Sequence, residues 1–277
     1  MLQSIYQRIS WLSLDVVSGA MAGMLFFARL FRVEIELEAY LLLGGAVWSI
    51  YTLDHLLDAV KIPSGSSADR HGYHLRNKRR LWVAWGLVAI ACISGGIWVF
   101  GWTMVLYLAL GLAVLILGVI GLLRKFEKSA AWLKELSNAL FYVVGISWLP
   151  IYFADSVEFN LPSIFLAVLY FGLAFLNLLM LSSMDAEDDQ LKGFNSIASF
   201  LPEEKIIRSI RLLALGMIVL CLLAGIFFIS FYRVFALLLL LMIGWHYLSF
   251  FGKNREVQQN RQKMELVFSL PWLLLFF

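Results

Sequence analysis

Charge is what this sequence has least of. Only 15% of its 277 residues are Asp, Glu, Lys or Arg, while 61% are hydrophobic and the mean hydropathy is +0.83. Soluble domains carry charge on about a quarter of their residues, so a water-soluble globular class is excluded and a polytopic membrane protein is implied. Cysteine is scarce too: Cys92 and Cys221 sit inside apolar runs without a C-x-x-C spacing. Neither a disulfide framework nor a zinc site is expected, and both read as small apolar fillers. A small-residue cleavage pattern is missing after the first apolar run, which one basic residue, Arg8, precedes. That run reads as a first permanent span rather than a removable signal. The net charge of +3 is small, and no nucleic-acid partner is expected.

What is present is a series of apolar runs. A spanning helix needs about 20 mainly apolar residues, and nine stretches satisfy this, near 11–31, 37–56, 80–100, 103–123, 135–153, 162–184, 206–229, 231–250 and 262–277. The last is the weakest, because it is short and begins with Lys263 and Glu265. With the N-terminus inside, only Arg29, Arg32 and Arg233 of the 22 basic residues fall on the outer side. The positive-inside rule therefore selects a cytoplasmic N-terminus in the plasma (inner) membrane. The expected fold is all-α: a single transmembrane domain over 1–277, with nine helices bundled.

Two inner connections are long and polar, KIPSGSSADRHGYHLRNKRR at 61–80 and DAEDDQLKGFNSIASFLPEEK at 185–205. Function concentrates on such loops. One follows span two and the other span six, and each is introduced by an Asp-x-x-x-Asp, Asp54 with Asp58 and Asp185 with Asp189. This hints at a quasi-repeat of spans 1–4 and 5–8.

On a helix, positions i and i+4 share a face, so each pair presents two carboxylates in one direction. Grouped carboxylates at a membrane boundary cost several kcal/mol unless a cation lies among them. Hard oxygen donors favour Mg2+ or Ca2+ over zinc, and magnesium commonly bridges carboxylates to substrate phosphates. Arg70, Arg76, Lys78, Arg79, Arg80, Lys192 and Lys134, on the same side, can neutralise a diphosphate and stabilise it as a leaving group. For one pair alone, a solvated helix end or an ion pair with neighbouring basic residues explains the pattern equally well.

The stretch DAEDDQLKGFNS, residues 185–196, resembles the second motif of the UbiA-type intramembrane prenyltransferases, D-x-x-x-D-x-x-x-G-x-x-[ST]. Nine spans with aspartate motifs after spans two and six are similar to that family's pattern over essentially the whole chain. The resemblance implies a helical bundle around a central cavity that opens to the lipid. It also implies magnesium and the diphosphate of a prenyl donor held by Asp54, Asp58, Asp185 and Asp189, and transfer of the prenyl group to a lipophilic, often aromatic, acceptor. The first motif departs from the family's N-D-x-x-D-x-x-x-D, because Ile50 and Tyr51 stand where Asn and Asp are usual. The usual R-x-x-R-P is absent, and Arg70-His71 followed by His74 occupies the comparable region.

Other residues are weighed against plainer roles. Tyr51, one turn before Asp54, can hydrogen-bond a phosphate or face a carbocation. His71 and His74 can contact the diphosphate or take a proton after alkylation, although loop histidines are more often merely solvated. Asp188, Lys192 and Asn195 in the second loop, with Asn138 in span five, are candidate substrate contacts that also have capping or helix-contact alternatives. Asp15 in the first span is an intramembrane acid and so a secondary candidate. His55 is expected to pack or to support the site from behind, and His246 to be structural. The 22 Phe, 10 Tyr and 10 Trp include candidates for a prenyl channel, most of them being ordinary lipid-facing residues.

The leading expectation is thus a Mg2+-dependent transferase moving a prenyl group from a prenyl diphosphate to a lipophilic acceptor among the membrane lipids. Two alternatives stay open. One is a membrane terpene cyclase that uses the same ionisation, and the other is a non-catalytic transporter of a phosphorylated lipid or divalent ion.

Overall fold

The structure is a computed structural model that describes residues 9–58, 70–125, 131–186, 202–252 and 257–277. Every regular element among the described residues is helical: α1 Leu14–Leu30, α2 Leu37–Asp58, α3 Arg70–Arg76, α4 Lys78–Phe100, α5 Met104–Lys125, α6 Ala131–Phe153, α7 Leu161–Met184, α8 Glu203–Phe227, α9 Ser230–Phe251 and α10 Val257–Val267, with 3-10 turns at Ser156–Glu158 and Leu270–Phe276. Eight long helices stand where the first eight apolar runs predict them. Among the described residues, five stretches, Lys78–Phe100, Lys134–Phe153, Leu161–Met184, Glu203–Phe227 and Ser230–Phe251, are long and apolar enough to cross a membrane.

Two sequence expectations need revision. Residues 262–277, read as a ninth span, form no continuous α-helix: α10 ends at Val267 and a 3-10 turn starts at Leu270. The 11 residues of α10, VQQNRQKMELV, are too few and too polar to cross a bilayer. The stretch 61–80, read as one long loop, contains α3 and the start of α4.

The chain divides into two compact units, Met1–Met21 with Ile35–Leu117, and Ala22–Glu34 with Gly118–Phe277. In the first, α2 packs along α4, and α3 packs on both. The pair Gly44-Gly45 lets α2 approach its neighbours closely. A Cβ on Gly44 would meet Met21 Sδ at 3.0 Å, and one on Gly45 would collide with Cys92 Sγ. The Trp85 indole N–H donates to the Ser49 carbonyl at 3.0 Å across the α2–α4 seam. The outer face of α4 exposes Val83, Leu87, Ile90, Ile93 and Trp98. So large an apolar face is tolerable where the surrounding solvent is lipid.

In the second unit α7 is the central helix, packing against α6, α8 and α9. Its buried residues Leu166, Leu169, Tyr170, Leu173, Leu176, Asn177 and Met180 recur every three or four positions and so form one face. Asn160 caps the helix by accepting the Ser163 amide at 3.1 Å, and Pro162 follows in the first turn, where its missing N–H costs nothing. Phe26, Phe27 and Phe235 pack as an aromatic knot, Phe26 and Phe27 both against Tyr170.

Gly23 faces this knot. A Cβ there would stand 2.6 Å from Ile146 Cδ1 and 2.7 Å from Tyr170 Oη. Overpacking a filled core costs about 1–3 kcal/mol. Gly23→Val should therefore lower the thermal midpoint of the purified protein, while Gly111→Ala, which meets nothing within 4 Å, should leave it unchanged. Equal midpoints for the two variants would contradict this packing.

Candidate functional site

The first aspartate motif lies in the last turns of α2, with Asp58 as its final residue. A helix C-terminus carries about half a negative charge from its unpaired carbonyls, so carboxylates there are opposed by the macrodipole. Such a position needs a cation or polar partners nearby.

Tyr51, one turn back, meets the next residue on its own side of the helix: its ring centroid is 6.4 Å from that of His55. His55 in turn lies 5.1 Å, centroid to centroid, from His74 of α3. Its Nε2 is 3.4 Å from Ser13 Oγ. Ser13 sits at φ 55°, in the left-handed region, immediately before α1. Asp15 follows in the first turn of α1, buried, with Oδ1 accepting the Val16 amide at 2.9 Å. That is the favourable end of a helix for an acid. The ring of Tyr73, next to His74, stacks obliquely on Trp11 at 5.4 Å.

His74 is thus not a solvated loop histidine. It lies within α3 and is 1% exposed, because the short helix turns it inward against His55. His55 belongs to the same cluster. The sequence separates the two by 19 positions and gives no spacing signal for their meeting. For Asp58, Arg70 and His71 only the backbone is described, on α2 and α3.

The second motif begins at Asp185, the C-cap of α7, whose N–H bonds to the Leu181 carbonyl at 2.9 Å. Here the compensating cation is visible. Arg261 Nη1 donates to Asp185 Oδ2 at 2.7 Å, and its Nε donates to Glu265 Oε1 at 3.2 Å, an i,i+4 pair within α10. The Arg261 side chain is 34% exposed and that of Glu265 only 7%. Burial works against the charge on Arg261, but Asp185 and Glu265 more than offset it and hold the guanidinium above its ordinary pKa range. The raised folded value means that its stabilisation is fully present below the unfolded pKa of about 12.5, across all physiological pH.

One turn before Asp185, Ser182 donates to the buried Glu135 Oε1 of α6 at 3.1 Å. Lys134 beside it is exposed, and Asn138 is half-buried one turn further along α6. Asp188, Asp189, Lys192 and Asn195 lie outside the described residues. His246, expected to be structural, is fully buried and bonds through Nδ1 to the Met242 carbonyl at 2.8 Å.

The residues that sequence reasoning missed are Arg261, Glu265 and Glu135. The i,i+4 spacing of Arg261 and Glu265 is a usable signal, obscured by the apolar stretch that follows it. Asp54 and Asp185 supply hard oxygen donors of the kind magnesium takes, so they fit that ion in donor type. Among the described residues, no group of three His, Cys, Asp or Glu side chains is arranged to hold a metal ion. Comparison with protein-family models, curated proteins and solved structures finds no match for this chain.

The Arg261 contacts are unequal in consequence. Arg261→Ala leaves Glu265 buried without its cation, which should cost about 1–3 kcal/mol. Asp185→Asn leaves the Arg261–Glu265 pair in place and should cost less than about 1 kcal/mol, as for a solvent-accessible ion pair. Thermal denaturation in detergent checks the order, and a larger loss for Asp185→Asn would contradict it.

Proposed function

We propose that the chain is a magnesium-dependent intramembrane prenyltransferase of the UbiA type, using a prenyl diphosphate donor and a lipophilic acceptor, of which an aromatic ring is one candidate. The observation that carries this reading is the placement of three of the four motif aspartates. Asp54 and Asp58 lie in the last turns of one apolar helix, and Asp185 caps another, where the helix dipole disfavours acids and a cationic ligand relieves them. A bundle of the eight long helices around a central cavity, with 262–277 as a broken segment beside it, belongs to the same proposal.

In this reading Asp54, Asp58, Asp185 and Asp189 hold the metal-bound diphosphate. Magnesium, when bound, supplies charge neutralisation to the departing diphosphate. The C1–O bond of the donor breaks and diphosphate leaves with the electron pair. Tyr51 offers a ring face to the allylic cation. An acceptor ring carbon gives its electron pair to C1 and afterwards loses its proton, for which the His55–His74 imidazoles are candidate bases. Asp188, Arg70, His71, Lys134, Lys192, Asn138 and Asn195 serve as diphosphate or substrate contacts.

A cyclase reading keeps the ionisation and lets the cation close on its own double bonds. It is favoured by one feature: Tyr51 stands where the family has a further carboxylate, and its ring meets His55, which in turn meets His74.

Purified protein given labelled prenyl diphosphates and an extract of native membranes should form labelled lipid only with Mg2+. Asp54→Asn and Asp185→Asn should each lower the rate about a hundredfold or more, the scale for losing a group that stabilises a charged transition state. Wild-type rates from both variants would sink the proposal, and labelled hydrocarbon made without any acceptor would move it to the cyclase.

A further inference from the structure

We propose that Arg261 is a diphosphate-contacting residue, held in reserve by Asp185 until the site is loaded. This rests on the prenyl diphosphate reading above and adds to it a residue that the sequence motifs do not contain. In the structure Arg261 occupies one oxygen of Asp185 at 2.7 Å, so a metal ion taking that carboxylate has to share or displace the guanidinium.

Where the guanidinium goes is set by its other contact. Its Nε is fixed to Glu265 at 3.2 Å, one turn along the same helix, and Glu265 is itself buried. That bond lies on the stem side of the fork and survives the loss of Asp185. The terminal nitrogens, one of which meets Asp185 at the C-cap of α7, then remain at the end of that helix. A guanidinium has five N–H donors in a rigid plane, and carboxylates take two of them here. The planar fork matches a phosphate's paired oxygens better than any other side chain does.

The charge sequence is consistent with ordered loading. Two carboxylates and one guanidinium give the triad a formal charge of −1, which favours arrival of a cation. A divalent ion on Asp185 turns the local charge positive and favours arrival of the diphosphate. Asp185 thereby exchanges Arg261 for the metal, and Arg261 exchanges Asp185 for phosphate oxygens. Glu265 acts as a positioning residue, keeping the fork in place in both states.

The test uses the full chain in lipid nanodiscs and a non-ionisable prenyl bisphosphonate, with affinity read by calorimetry with and without Mg2+. Wild type should bind in the presence of Mg2+. Arg261→Gln should bind about tenfold to a hundredfold more weakly, as expected for removal of charge-assisted hydrogen bonds. Arg261→Lys should recover only part, having the charge without the fork. Glu265→Gln should fall between Lys and wild type. Melting temperatures without ligand separate a purely structural role, which would lower stability at unchanged Kd and overturn the proposal. If Arg261→Gln cannot be purified, Arg261→Lys decides alone: weaker binding supports the exchange, and wild-type affinity overturns it. Tight Mg2+-dependent binding by wild type and Arg261→Gln alike would remove Arg261 while leaving the prenyl diphosphate reading intact. No binding by wild type would remove both.

Discussion

A carboxylate at the C-terminal end of an apolar helix is in the wrong field. The helix carbonyls there point outward and present partial negative charge, and the adjoining lipid offers no water to screen it. Three acidic residues stand in such positions, Asp54 and Asp58 at the end of α2 and Asp185 at the end of α7. The placement is costly unless a cation or a dense set of polar partners is built in, and polar side chains gather near these helix ends in both units.

The two units meet it differently. In the second, a short polar helix, α10, brings one guanidinium to Asp185 and anchors it on Glu265. In the first, α3 and the turn before α1 bring Ser13, His55 and His74 together beside the α2 terminus. The apolar framework leaves room for these polar clusters only at helix ends. Along their length, helices such as α4 turn Leu and Ile side chains outward, and α7 fills its inner face with Leu, Met and Tyr. Arg261 meets two acids at once: it secures the buried Glu265 and it holds the carboxylate of Asp185 at the end of α7.

Much of the fold was legible in the sequence. Runs of about 20 apolar residues set the positions of eight helices to within a few residues, because in lipid every backbone group must bond within its own helix and length alone is a strong signal. The last segment was not, since its apolar end, LPWLLLFF, gave the stretch 262–277 a spanning appearance, whereas the α-helix that holds Arg261 and Glu265 stops at Val267 and a 3-10 turn follows from Leu270. Within the site, the positions of Asp54 and Asp185 at helix ends were readable from the hydropathy boundary. The burial of His74 was not, because a basic, glycine-containing stretch carried no periodicity to announce α3. Nor was the Asp185–Arg261 pair, formed across 76 positions by tertiary packing.

The proposed function requires Asp54 and Asp185 to lie at one membrane face, and cysteine accessibility tests this requirement most directly. In a background lacking Cys92 and Cys221, Asp54→Cys and Asp185→Cys would each be exposed to a membrane-impermeant maleimide in sealed vesicles of known orientation. Labelling of both in inside-out vesicles and of neither in right-side-out vesicles is the expected result. Labelling of the two positions from opposite sides would contradict it.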